Sequence, residues 1–300
     1  MPRALALPKI STNVRFAASA VLFPELAGAW AERLFLTPPR AVDASASLEL
    51  IEARHRPLLH KGRSIATWEW GWKSREAPAV LLVHGWGGNA AQLRPFVHRL
   101  LAEGFRVVAF DQPAHGLSEG RLTGLPDMAE VLAEVASRSG RLAGLVAHSI
   151  GASATAFAIS RGLKAARAVL ISPPSDVIGY SRRFARWYWM PEPVRRSMQA
   201  AIEERYGVRW EELDAARLGP RLSGEALVIH DRADRLVSVR HGIRLACAWP
   251  GARLLLTSGL GHTRILGDDA INQAATAFIA GRSGIASPAA SALAAPAPLY

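Results

Sequence analysis

Between residues 48 and 281, short apolar runs alternate with stretches whose apolar residues recur every three or four positions. The runs are "AVLLVHG" (79–85), "FRVVAFD" (105–111), "LAGLVAHS" (142–149), "ARAVLISP" (166–173), "ALVIHDRAD" (226–234) and "ARLLLTSG" (252–259). Their apolar residues are continuous rather than alternating, the pattern of strands covered on both faces. Between them, "AAQLRPFVHRLLAEG" (90–104) sets Leu93, Phe96, Val97, Leu100 and Leu101 on one helical face and stops at Gly104. Further helices are predicted over about 125–139, from about 150, over 239–248 and from about 264. "LELIEARHR" (48–56) and "SIATWEWGW" (64–72) read as antiparallel strands joined by "PLLHKG". Strands separated by helices form βαβ units, so the predicted fold is α/β: a mainly parallel sheet of the eight-stranded type, flanked by helices.

The pattern changes at both ends and once in the middle. Residues 1–47 are expected to form an N-terminal helical extension. From Asn13 to Leu36, the residues Phe16, Val21, Leu26, Trp30 and Leu34 recur at helical spacing. Pro24 and Glu25 interrupt the apolar stretch, which falls short of the ~20 residues of a membrane span. The preferred reading is an amphipathic helix packed on the domain, and a helix lying on a membrane surface is the alternative. Residues 282–300, rich in Ala, Pro and Ser, read as a disordered tail. The core is assigned to 48–174 and 223–281, with 175–222 inserted as a small helical cap. That insertion mixes Tyr180, Phe184, Trp187, Tyr188, Trp189 and Met190 with Arg182, Arg183, Arg186, Arg195 and Arg196. It reads as a lid with an apolar underside and solvated arginines, with Trp187, Trp189 and, from the core, His84 as candidate pocket residues.

Composition adds little. At 50% hydrophobic and 20% charged residues the chain has ordinary globular proportions. The net charge of +11 is spread along the chain rather than gathered into a nucleic-acid motif, so no nucleic-acid partner is expected. With Cys247 alone an intrachain disulfide is impossible, and the expected location is the cytoplasm, with peripheral membrane contact open through the N-terminal helix.

In a doubly covered parallel sheet, ligands bind at the carboxyl ends of the strands. The loops there are "HGWGG", "DQPAHGLS", "HSIG", "SPPSD", "HDRAD" and "GLGH". They supply a serine, an acid and a histidine in the order Ser149, Asp234, His262. A histidine can take the serine proton, and a carboxylate fixes the tautomer of that histidine. Asp231 and Asp176 are alternative acids. Ser149 alone could equally cap the helix that follows it. No Cys/His cluster has metal-ligand spacing and no phosphate-binding loop is present, so cofactor-free and metal-free chemistry is expected.

Over about residues 49–281 these segments resemble the α/β-hydrolase superfamily. Ala147-His148-Ser149-Ile150-Gly151 is similar to its nucleophile elbow, with Ala147 where glycine is commoner. His84-Gly85-Trp86-Gly87-Gly88 resembles its oxyanion loop, and the resemblance implies that the Trp86 and Ile150 backbone N–H groups hold the oxyanion. Asp111-Gln112-Pro113-Ala114-His115-Gly116-Leu117-Ser118 is similar to a structural segment of the family, again with alanine for a glycine. His148 and His115 are read as packing or hydrogen-bonding residues. The implied activity is a serine hydrolase of small apolar carboxylic esters acting through an acyl-enzyme. Thioester, amide or C–C cleavage, or acyl transfer, are alternatives on the same residues. A catalytically silent fold used for binding is the non-enzyme alternative, and the oligomeric state is not legible.

Overall fold

The structure is a computed structural model and describes residues 24–39, Leu50 and 52–282. Ten strands are present among them: β1 (Arg54–His55), β2 (Leu58–His60), β3 (Arg63–Ile65), β4 (Thr67–Trp70), β5 (Ala79–Val83), β6 (Arg106–Phe110), β7 (Leu142–His148), β8 (Arg167–Ile171), β9 (Glu225–Asp231) and β10 (Ala252–Thr257). Eight of them form one sheet in the order β1-β4-β6-β5-β7-β8-β9-β10. β4 pairs antiparallel with β1 and β6, and every pair from β6 to β10 is parallel. The unbroken apolar runs of β5 to β9 have the burial they imply, whereas β10, expected to be covered on both faces, stands at the edge of the sheet and is only half-buried throughout. All five residues of β5 have 0% exposure, because helices cover both faces.

Residues alternate between those two faces. Leu81, Val83, Leu145, Ala147, Leu170 and Val228 pack with α3 (Leu125–Arg138), α4 (Ile150–Ser160) and α8 (Val239–Ala248). Val80, Leu82, Val146, Val169, Ile171 and Ile229 pack with α2 (Val97–Ala102) and α10 (Asp269–Ile279). The sheet therefore carries the loops after β5, β6, β7 and β9 to one edge, where the chemistry-bearing residues meet.

Four details depart from the sequence pattern. "PLLHKG" is not a plain connection: β2 and β3 form a separate hairpin, turned by Lys61 (φ 47°) and Gly62 (φ 76°). Of the described residues of "LELIEARHR", which leave out Leu48, Glu49 and Ile51, only Arg54–His55 is strand. The helix expected over 90–104 is split, since Pro95 lacks an N–H and Ala90–Phe96 winds as 3₁₀ before α2 begins. The last helix begins at Asp269, after the one-turn α9 (Gly261–Arg264).

Between β8 and β9 lie α5 (Val177–Trp187), α6 (Glu192–Tyr206) and α7 (Ala215–Leu218). Phe184, Met190, Val194 and Met198 are buried, and Arg182, Arg186 and Arg196 are exposed. Arg195, expected in solvent, is instead buried and donates to Glu192, Ser181 and Gln199. The N-terminal helix α1 (Pro24–Leu36) packs along this insertion rather than on the sheet. A β-carbon at Gly28 would stand 2.4 Å from Ser197 Oγ, so the helices approach closely there. Glu32 pairs with Arg205, and the Phe35 ring meets Tyr180, Phe184 and Trp210. The buried stripe is Ala27, Ala31 and Leu36, whereas Leu26, expected on it, is 67% exposed. Phe16 and Val21 lie outside the described residues. So does the expected tail except Arg282, which is ion-paired to Glu103. No helix among the described residues is long and apolar enough to cross a membrane.

Candidate active site

β7 ends at His148, and α4 begins at Ile150, leaving Ser149 alone in the turn. Its backbone has φ 53° and ψ −130°, a strained combination costing on the order of 1–3 kcal/mol. Ser149 occupies the N-cap position of α4, yet its hydroxyl makes no capping hydrogen bond. The turn is held by the backbone instead: Ser149 N–H donates to Ile171 O at 2.8 Å, and Ser149 O accepts from Ala152 N–H at 2.9 Å. The tight fit explains the small neighbours. A β-carbon at Gly151 would lie 2.3 Å from His84 O, and one at Gly85 would lie 2.8 Å from Ser149 Cβ.

The hydroxyl is directed at His262. Ser149 Oγ stands 3.0 Å from His262 Nε2, and His262 Nδ1 stands 2.7 Å from Asp234 Oδ2. A carboxylate only accepts, so Nδ1 carries the proton and Nε2 presents its lone pair to the serine O–H. Asp234 is fixed in turn: its Oδ1 accepts from Leu236 N–H and Val237 N–H, both at 2.9 Å. Burial pushes this carboxyl up, but hydrogen bonds from His230, His262 and the Val237 amide outweigh it and hold it well below the usual carboxylate range.

The other aspartates are used elsewhere. Asp231 accepts from Thr257 Oγ1–H at 2.7 Å and Leu260 N–H at 3.1 Å, tying the loop after β10 to β9. Asp176 caps α5 by accepting from Gly179 N–H at 2.7 Å.

Trp86 lies in the loop after β5, where Gly88 N–H donates to Gly85 O at 3.1 Å and Gly87 adopts φ 70°. Such a turn needs a positive φ at its third residue, hence glycine. The Trp86 ring is edge-on to His115 at 5.4 Å. Ile150 opens α4, where the first N–H groups have no intrahelical acceptor and the helix dipole is positive.

His84, expected against the substrate, is instead fully buried beneath this loop. Its Nδ1–H donates to Gly85 O at 2.7 Å, and its Nε2 accepts from Gln112 N–H at 2.8 Å. Burial holds its pKa well below the usual range, so it buttresses the loop as a neutral ring. Of the two tryptophans, Trp187 is half-buried and edge-on to Tyr180, with the Arg183 guanidinium over both rings. Trp189 is 56% exposed. An open cleft of about 530 Å³ runs beside the His262 loop, lined in part by Gln92, Pro95, Leu260, Thr263 and Leu266. Among the described residues no group of three or more His, Cys, Asp or Glu could hold a metal ion.

Two residues that the sequence leaves in the background adjoin this constellation. His230 Nε2 lies 2.9 Å from Val237 O and 3.5 Å from Asp234 Oδ2. His148 Nε2–H donates to His262 O at 2.9 Å.

Residues 80–296, more than half of the chain, match the model of the alpha/beta hydrolase family. A solved membrane phospholipase A, a bacterial virulence factor, is similar with a TM-score of 0.61 at 19% identity, covering 90% of this chain and 96% of that one. An esterase from Pyrococcus furiosus is similar with a TM-score of 0.61 at 21% identity, over 82% of this chain and 98% of that one. Part of the chain is 36% identical over 141 residues to the dihydrolipoyllysine-residue acetyltransferase component of the acetoin cleaving system of Cupriavidus necator. That alignment spans 44% of this chain and 36% of the relative.

Proposed function

The chain belongs to the α/β-hydrolase family, and from that membership we propose that it is a serine hydrolase of small apolar carboxylic esters. The observation that carries the reading is the continuous line from Ser149 Oγ through His262 to Asp234, at 3.0 and 2.7 Å. In this reading His262 Nε2 takes the hydroxyl proton as Ser149 Oγ attacks the carbonyl carbon. The imidazolium that forms is steadied by the Asp234 carboxylate. The tetrahedral oxyanion is received by the N–H groups of Trp86 and Ile150, each of the kind worth ~10²–10³ in rate. Collapse expels the alcohol with the His262 proton and leaves the acyl group on Ser149, and a water activated by the same histidine releases it.

Hydrolysis of nitrophenyl esters from acetate to palmitate, wild type against Ser149→Ala, tests this. Turnover that vanishes in the variant is expected, together with labelling of wild type alone by a fluorophosphonate. An unlabelled wild type, or a variant labelled equally well, overturns the reading.

The acetyltransferase component among the relatives favours one second reading, in which a thiol or alcohol replaces water as acyl acceptor. Adding a soluble thiol to the ester assay separates the two. Acyl-thiol accumulating faster than free acid supports transfer, and unchanged acid production supports hydrolysis.

A further inference from the structure

His262 reaches Ser149 from the far side of the sheet. β10, which precedes its loop, lies three strand positions from β7, about 14 Å at ~4.8 Å per strand. The loop between is "Gly259-Leu260-Gly261", and both glycines have positive φ, 89° and 71°, with open space where a β-carbon would be. Nothing in its own sterics fixes where the histidine stands. Asp231 ties Leu260 to β9, which sets the base of the loop. Asp234 holds the Nδ1 side of the ring.

Arg264 also holds the loop, donating to Leu260 O at 3.1 Å and Gly259 O at 2.8 Å, and a further tie runs to the nucleophile's own strand. His148, the residue just before Ser149, donates from Nε2–H to the His262 carbonyl at 2.9 Å. Its ring lies against that of His262, centroids 4.7 Å apart and tilted by 48°. We propose that His148 is a positioning residue: by holding the His262 backbone to the end of β7, it refers the base and the nucleophile to one strand and sets the Nε2–Oγ distance. The proposal rests on the Ser149–His262 chemistry above.

The ring is suited to this. The carbonyl accepts, so Nε2 carries the proton, and Nδ1 has no hydrogen-bond partner among the described residues. Burial and the neighbouring His262 hold His148 down to about 3, so it stays neutral while His262 takes up the serine proton. A second imidazolium 4.7 Å away would oppose that step.

The test compares His148→Leu, which fills similar volume without a donor, with His148→Gln, whose amide N–H reaches the same place. Rates are taken per site titratable by fluorophosphonate, which removes any effect of a smaller folded fraction. In His148→Leu, kcat and the labelling rate are expected to fall ~10–100-fold with KM within about threefold, since a misplacement of 1 Å can cost ~10². His148→Gln is expected to recover most of that loss. Ring ¹⁵N spectra of the wild type should show the His148 proton on Nε2, and they decide the question if His148→Leu does not fold. Wild-type kcat in His148→Leu, an equal loss in His148→Gln, or a proton on Nδ1 overturns the proposal. A wild type that is not labelled at all overturns the hydrolase reading itself, and the positioning role with it.

Discussion

Gly85 and Ser149 meet with no space for a side chain between them: a β-carbon at Gly85 would stand 2.8 Å from Ser149 Cβ and 3.3 Å from His148 Nδ1. The loop after β5 and the elbow after β7 are thus shaped against each other, and any group at position 85 has to push one of them away. On the proposed mechanism, Gly85→Ala is expected to lower ester kcat by ~10²-fold or more, because the proposed oxyanion donors or the proposed nucleophile shift. Chemical denaturation should show a much smaller effect, on the order of 1–3 kcal/mol, as for other overpacked sites. A variant with wild-type kcat would show that the loop yields without cost to the chemistry.

Two of the three candidate acids, Asp234 and Asp176, make opposite predictions. Asp234→Asn keeps the shape but offers His262 Nδ1 an amide in place of a carboxylate, and kcat is expected to fall by ~10⁴. Asp176→Ala removes the α5 cap, costing about 1 kcal/mol of stability, and should leave kcat within a few-fold. Steady-state kinetics of the two variants side by side checks the assignment. Equal losses would remove Asp234 from its special place.

What could be read from the chain follows from which interactions are local. The buried strands announce themselves because "AVLLV" or "LVAH" needs no partner to show that both its faces are covered. Ser149, His262 and their neighbours stand out because glycines and polar residues end those runs. The acid is the least firmly legible member: Asp234 is preferred by its place, but Asp176 also follows a strand and Asp231 ends one, and distance to His262 is what separates them. The β2–β3 hairpin escapes because its strands, three residues each, are too short to show a period. The place of α1 escapes because Glu32 and Phe35 find partners about 145–175 residues later in the insertion. His230 leaves only a faint trace, a histidine four residues before Asp234 inside a buried strand.

Asp111 gives a pH dependence of unusual sign. Burial, opposed by the Leu117 and Ala90 amides, raises its carboxyl to about 6 from the ordinary 3.8. Between those values the folded chain binds the proton more readily than the unfolded one. Through this group alone, acidification from pH 7 towards 4 therefore stabilises the fold, by up to about 3 kcal/mol. Asp111→Asn removes the titration. The stability difference between wild type and variant, from denaturant titrations at each pH, is expected to move in favour of wild type as pH falls from 6.5 to 4. A constant difference would mean that Asp111 titrates as an ordinary carboxyl.

Ala114 stands with φ 64° and 2% exposure in the loop after β6, where a left-handed residue favours glycine. Three effects decide what Ala114→Gly does. Strain worth roughly 1–2 kcal/mol is relieved. The unfolded chain gains freedom worth about 0.5–1 kcal/mol against folding, and burial of a methyl worth about 0.8 kcal/mol is lost. The terms nearly cancel, so Ala114→Gly is expected to change unfolding free energy by less than about 0.5 kcal/mol, which accounts for alanine being tolerated here. Ala114→Val has no such cancellation: a β-branched residue is a steric outlier at this φ, and its two further methyl groups enter a buried site. A loss above about 2 kcal/mol is expected for it. Equal stability of the glycine and valine variants would show that the turn relaxes out of the left-handed region when Ala114 is replaced.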